Sequence, residues 1–202
     1  MADVISIIVK GGIVMIPLLA CSLIALALTI ERLIFWTRLK AKDVPRQILA
    51  LVEDGDFERA LNLGQTSEQP IPRVLAAGIA HRNPAPAKAM EAAAQAEIPV
   101  LKSRLGILDT IVTLAPLLGL LGTVVGMIGS FDVMSEAGLG QPHAVTGGVA
   151  EALIATATGL LIAILTLVSY NYFTARVEHE MDRMEHFSSS LELLLHEHAG
   201  KH

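Results

Sequence analysis

The sequence predicts an all-α integral membrane protein with three membrane-spanning helices and long helical extensions on one side of the bilayer. Three observations carry that expectation. The 202-residue chain is 52% hydrophobic and only 17% charged, against about 25% charge in a soluble domain. Its charges are bunched, because Gly11–Ile30, Thr110–Phe131 and Ala152–Ala175 contain none. These runs are 20, 22 and 24 residues long, and at about 1.5 Å per residue each covers the roughly 30 Å hydrocarbon core. Other classes fall away. So apolar a chain does not stay disordered. Cys21 is the single cysteine, so there is no disulfide scaffold. A net charge of −5 argues against a nucleic-acid partner.

The first element, residues 1–36, holds the N-terminal segment and the first span. Leu18-Leu19-Ala20-Cys21 looks like a lipoprotein cleavage box. The apolar run nevertheless continues for nine residues past Cys21, which a cleaved signal does not need, so the segment is read as a retained helix. Phe35 and Trp36, flanked by Glu31, Arg32 and Arg38, form an aromatic exit at the interface. Residues 37–104 carry ten Lys and Arg, whereas 132–147 carry none. The positive-inside rule therefore places 37–104 and the C-terminus in the cytoplasm, and the N-terminus and the 132–147 loop outside.

The segment 37–104 reads as short helices punctuated by proline and glycine. Val44 to Val52 is one, and Asp54-Gly55-Asp56 is a turn whose Asp56 caps a helix from Phe57 to Leu63. Pro70 opens a third, to Ala80, and Asn83-Pro84-Ala85-Pro86 breaks the chain again. The Ala-rich piece from Ala87 is expected to run through Pro99 into the second span, 105–131, with a kink. No phosphate loop, catalytic triad or metal-ligand cluster stands out, so no enzyme activity and no cofactor are expected. The third span, 148–175, continues into a C-terminal helix, 176–202. There Val177, Met181, Met184, Leu191 and Leu195 follow helical spacing, with Ser188 interrupting the stripe. His196, His198 and His202 are read as a frayed, solvated terminus rather than metal ligands, His179 and His186 share a face that no acidic or thiol group marks as a site, and His81 is read as a lone surface histidine.

The second and third spans carry unusual residues. Gly119, Gly122, Gly126 and Gly129 recur at three- and four-residue steps, the pattern of close helix packing in a membrane. Thr110, Thr113 and Thr123 lie in the second span, and Glu151, Thr156 and Thr158 at the start of the third. At ~100° per residue Thr158 falls about 20° from Glu151, and Thr156 about 140° away. Membrane threonines usually bond back to their own helix, and the sharper alternative is a polar path for ions. Glu151 is either an interfacial charge or an intramembrane one, and an intramembrane carboxylate costs several kcal/mol unless it faces a cavity or partner. The second span has no carboxylate between Asp109 and Asp132, so a proton relay here would borrow its carrier from a second chain.

The segments Leu114-Ala115-Pro116-Leu117-Leu118-Gly119-Leu120-Leu121-Gly122-Thr123-Val124-Val125-Gly126-Met127-Ile128 and Val149-Ala150-Glu151-Ala152-Leu153-Ile154-Ala155-Thr156-Ala157 closely resemble the two helix signatures of the MotA/TolQ/ExbB proton-channel family. Gly55-Asp56-Phe57 with Ala60-Leu61 is similar to a weaker motif of its cytoplasmic domain. Three spans with the N-terminus out look like the ExbB/TolQ branch. The resemblance implies a bacterial inner-membrane protein with a periplasmic N-terminus and a cytoplasmic C-terminus. It implies a pentameric ring around the helices of a smaller ExbD/TolR-like single-span partner, whose membrane aspartate carries the proton. It also implies a TonB- or TolA-like protein as the recipient of the work. Carried over by position, Thr123 and Thr156 would be the pore threonines, and Glu151 the glutamate near the outer end of the third helix. Thr158 remains the secondary choice, and Asp109 is either a cytoplasmic proton exit or a boundary charge. The alternative function is a passive scaffold whose glycine stripes only organise a membrane complex.

Overall fold

The computed structural model describes residues 11–39, 43–137 and 142–199. Among them there are seven α-helices and no strand: α1 (Met15–Leu39), α2 (Val44–Glu53), α3 (Phe57–Gln65), α4 (Pro70–Ala80), α5 (Pro86–Lys102), α6 (Leu105–Ala137) and α7 (Pro142–Ala199). Three helical stretches are long and apolar enough to cross a membrane. The chain divides into two compact units, one built from residues up to Arg32 and from Arg104 to Tyr172, the other from 33–103 and 173 onward.

The first unit packs α1, α6 and α7 by their smallest residues. Leu18, Cys21 and Ala25 are the buried stripe of the first turns of α1, spaced at three and four, and Val14 in the turn before the helix continues it. On α6 the buried line is Leu108, Ile111, Ala115, Gly119, Gly122, Gly126 and Ser130. It meets Ala152, Ala155 and Gly159 of α7. Most of the large side chains turn outward, with Leu23, Leu153 and Val168 each more than 60% exposed. Small inside and large outside is the arrangement expected where lipid, not water, surrounds the helices. The chain is a multi-pass membrane protein.

The second unit has an ordinary apolar core: Ile48 and Val52 of α2, Ile71, Val74, Leu75 and Ile79 of α4, Leu101 of α5, and Phe173, Val177, Phe187 and Leu191 of α7. Gly64 lets α3 touch α4, since a Cβ there would stand 2.7 Å from the Pro72 carbonyl oxygen. Asp56 caps α3 by accepting from the Arg59 N–H at 3.2 Å. The Arg82 guanidinium lies 4.8 Å above the Phe57 ring, whose edge also meets His198 at 5.6 Å.

Within the first charge-free run, helix α1 begins at Met15, after a turn at residues 11–14 in which Gly12 has φ +71°. Three details differ from the sequence reading. Helix α5 passes Pro99 but stops at Lys102, and Arg104, at φ +69°, separates it from α6. The span from 132 to 147, expected as a loop, is helical up to Ala137 and again from Pro142. On the C-terminal stripe Phe187 fills the gap at Ser188, and His198 packs on Phe57 rather than facing only solvent. The extreme N-terminal residues and His202 lie outside the described residues.

Candidate functional site

The seam between α6 and α7 is a backbone-to-backbone contact. A Cβ on Gly159 would stand 2.5 Å from the Ala115 carbonyl oxygen and 3.1 Å from Gly119 Cα. A Cβ on Gly119 would meet Thr156 Cα at 3.0 Å, and one on Gly126 the Gly148 carbonyl oxygen at 2.8 Å. Gly122 stands against the Ala155 methyl group, and Gly148 against the Ser130 hydroxyl. Gly129, expected on the same stripe, has nothing within 4 Å; Ser130 holds that place on the seam. The correction follows from helical phase, because the line advances 119, 122, 126, 130 and residue 129 falls about 100° off the last step. Pro116 lies inside α6 one turn before Gly119.

Thr156 is positioned by this seam. Its hydroxyl donates to the Gly119 carbonyl oxygen at 2.9 Å, from α7 across to α6. The other threonines turn back on their own helices. Thr123 donates to the Leu120 carbonyl oxygen at 2.6 Å and Thr158 to that of Ile154 at 2.8 Å. Thr110 and Thr113 do the same on Gly106 and Thr110. A hydroxyl that has donated still offers lone pairs to a second donor.

Glu151 and Thr158 lie on the α1 side of α7. The Glu151 carboxylate occupies the space above Gly12, where a Cβ would overlap Oε1. Thr158 lines a groove of about 320 Å³ between α1 and α7, with Ser22, Thr29, Thr166 and Ser169. The structure thus joins Glu151 to the Gly11–Gly12 turn and Thr156 to Gly119, on different sides of α7. Asp109 is exposed on α6. Residue typing and spacing alone did not reveal the Gly12 contact; the Gly11-Gly12 doublet ahead of the apolar run was its available signal. No group of three or more metal-ligating side chains occurs among the described residues.

A family model described as the MotA/TolQ/ExbB proton channel family matches residues 66–186. A protein of Synechocystis named ExbB-like 3 is 36% identical over 191 residues, covering 91% of each chain. A second protein from that organism, named ExbB-like 1, is 38% identical over 198 residues, covering 93% of this chain and 77% of the relative. The Tol-Pal system protein TolQ of Pseudomonas aeruginosa is 38% identical over 110 residues, covering 54% of this chain and 48% of the relative. The family model takes in α4 to α6 and α7 as far as residue 186, and with them the whole glycine seam and the hydroxyl that crosses it. By that match, and by relatives aligned over nearly its full length, this chain belongs to the MotA/TolQ/ExbB proton channel family.

Proposed function

We propose that this protein is the proton-conducting subunit of an ExbB/TolQ-type inner-membrane complex that uses the proton gradient to drive outer-membrane transport or another envelope process. The observation that carries the reading is the Thr156 hydroxyl, held at the α6–α7 seam by the Gly119 carbonyl oxygen with its lone pairs still available. Such a hydroxyl receives a hydrogen bond from a protonated carboxyl on a partner helix and carries no fixed charge that would trap the ion. Thr123, one turn along α6 from Gly119, supplies a second hydroxyl, and Glu151 a carboxylate toward the outer end. Asp109 at the other end of α6 serves as the exit.

The complex in this reading is a pentameric ring around the spans of an ExbD/TolR-like protein, whose membrane aspartate is the carrier, with a TonB/TolA-like protein receiving the work. The chain itself is a channel subunit, neither an enzyme nor a cofactor protein. The test is proton flux into vesicles reconstituted with this protein and such a single-span partner. The expected result is flux with both chains, lost in Thr156→Val and Glu151→Ala and retained in Thr156→Ser. Absence of flux with the wild-type pair favours the passive scaffold, and wild-type flux in both loss variants sinks the pore assignment.

A further inference from the structure

In the second unit, outside the residues of the proton reading, α5 and α7 leave a groove of about 330 Å³. Its floor is apolar, with Met90, Met181, Met184 and Ile98, and Ala87 and Ala94 form low walls. Its rim is acidic, with Glu91, Asp182, Glu185 and Glu192, and no Lys or Arg among the described residues lines it. The cations nearest in sequence do not close it. Arg183 pairs with Glu180 at 2.9 Å, and Lys88 is not among the lining residues. Of the four carboxylates, Glu192 has a distant histidine, His196 Nε2 at 3.8 Å.

A methionine floor repacks around varied apolar side chains. A trough between two helices takes the apolar stripe of a third at i, i+3, i+4 and i+7. We propose that this groove docks a basic amphipathic helix of a partner protein, with apolar anchors on the methionines and Lys or Arg against the four carboxylates. The charge balance selects that occupant over a second copy of this chain. Groove against groove sets like charges together, and among the described residues no helix carries two exposed cations within two turns beside an exposed apolar stripe. The Lys/Arg distribution assigns this unit to the cytoplasm, where the segments flanking membrane spans are commonly basic.

The test uses the full-length protein in phosphatidylcholine nanodiscs, a neutral lipid that does not itself attract the probe. The probes are a fluorescent Leu/Lys amphipathic peptide of about 18 residues, long enough for five turns, and its Leu/Glu counterpart. The Lys peptide is expected to bind, to weaken with added salt, and to shield Ala87→Cys from maleimide. Glu91→Lys with Glu185→Lys is expected to weaken it by about tenfold or more and to admit the Glu peptide instead. The gain of Glu-peptide binding shows that the variant is folded. The proposal is overturned if the Lys peptide fails to bind, binds the reversed variant equally, or if Ala87→Cys is already shielded in the assembled protein without peptide. That last result assigns the groove to a second copy.

Discussion

In the proposed proton reading, Thr156 shows how little polarity a membrane path needs. Its hydroxyl both ties α7 to α6 and remains open as an acceptor, so its two roles are separable by substitution. An interhelical hydrogen bond in a membrane is worth about 0.6 kcal/mol. Thr156→Val is therefore expected to lower the thermal midpoint in detergent only slightly while removing proton flux. A large loss of stability with residual flux would make the residue structural. Glu151 makes a different case. Its carboxylate lies over Gly12, a glycine at φ +71°, where any side chain is strained and collides with Oε1. Gly12→Ala is expected to destabilise by about 1–3 kcal/mol, read as a lower midpoint, and the pairing Gly12→Ala with Glu151→Ala should recover part of the loss. No recovery would mean that backbone conformation alone accounts for the effect. The spacing of Glu151 and Thr158 was enough to put them on a common side, since seven residues make nearly two turns. Their neighbour was not legible, because nothing in a helical period says which helix stands opposite.

At the scale of the element, the seam separates glycines that look alike in sequence. A Cβ on Gly159 meets the Ala115 carbonyl, which belongs to a helix backbone and has no rotamer to give, whereas a Cβ on Gly129 meets open space. Gly159→Ala is expected to weaken the α6–α7 contact and lower the midpoint. Gly129→Ala is expected to be neutral or stabilising by up to about 1 kcal/mol, through helix propensity. Equal effects at both positions would refute the seam geometry. Outside the spans, Asp56→Ala removes the side chain that accepts from the Arg59 N–H, with an expected cost of about 1 kcal/mol in denaturant unfolding. A cost near zero would show that the capping bond is replaced by water. Helices such as Pro70–Ala80 were legible because proline starts and apolar periodicity act locally. The junction at Ser103–Arg104 was not. Arginine gives no sign in sequence that it will adopt φ +69°. The segment 132–147 was misread for a related reason. Its lack of Lys and Arg marks a side of the membrane but says nothing about backbone conformation, and α6 continues to Ala137 regardless.

For the whole molecule, the division into two units follows the distribution of charge along the chain. The unit that packs on alanine and glycine exposes most of its leucines and isoleucines, and the unit whose core holds Ile48, Ile71, Leu75, Ile79, Leu101 and Leu191 carries most of the lysine and arginine. Both α1 and α7 contribute residues to each unit. The sidedness itself is a prediction from charge, because ten cations in 37–104 face none in 132–147. It is checked in a background in which Cys21, the only cysteine, is replaced by Ala. Two single thiols are then introduced at exposed positions, Glu58→Cys on α3 and Ser135→Cys near the end of α6. In intact bacteria with a permeable outer membrane, an impermeant maleimide is expected to label Ser135→Cys and to leave Glu58→Cys untouched until the inner membrane is opened. The opposite pattern would invert the molecule and, in the proposed proton reading, put Glu151 at the cytoplasmic end of the path and Asp109 at its entry.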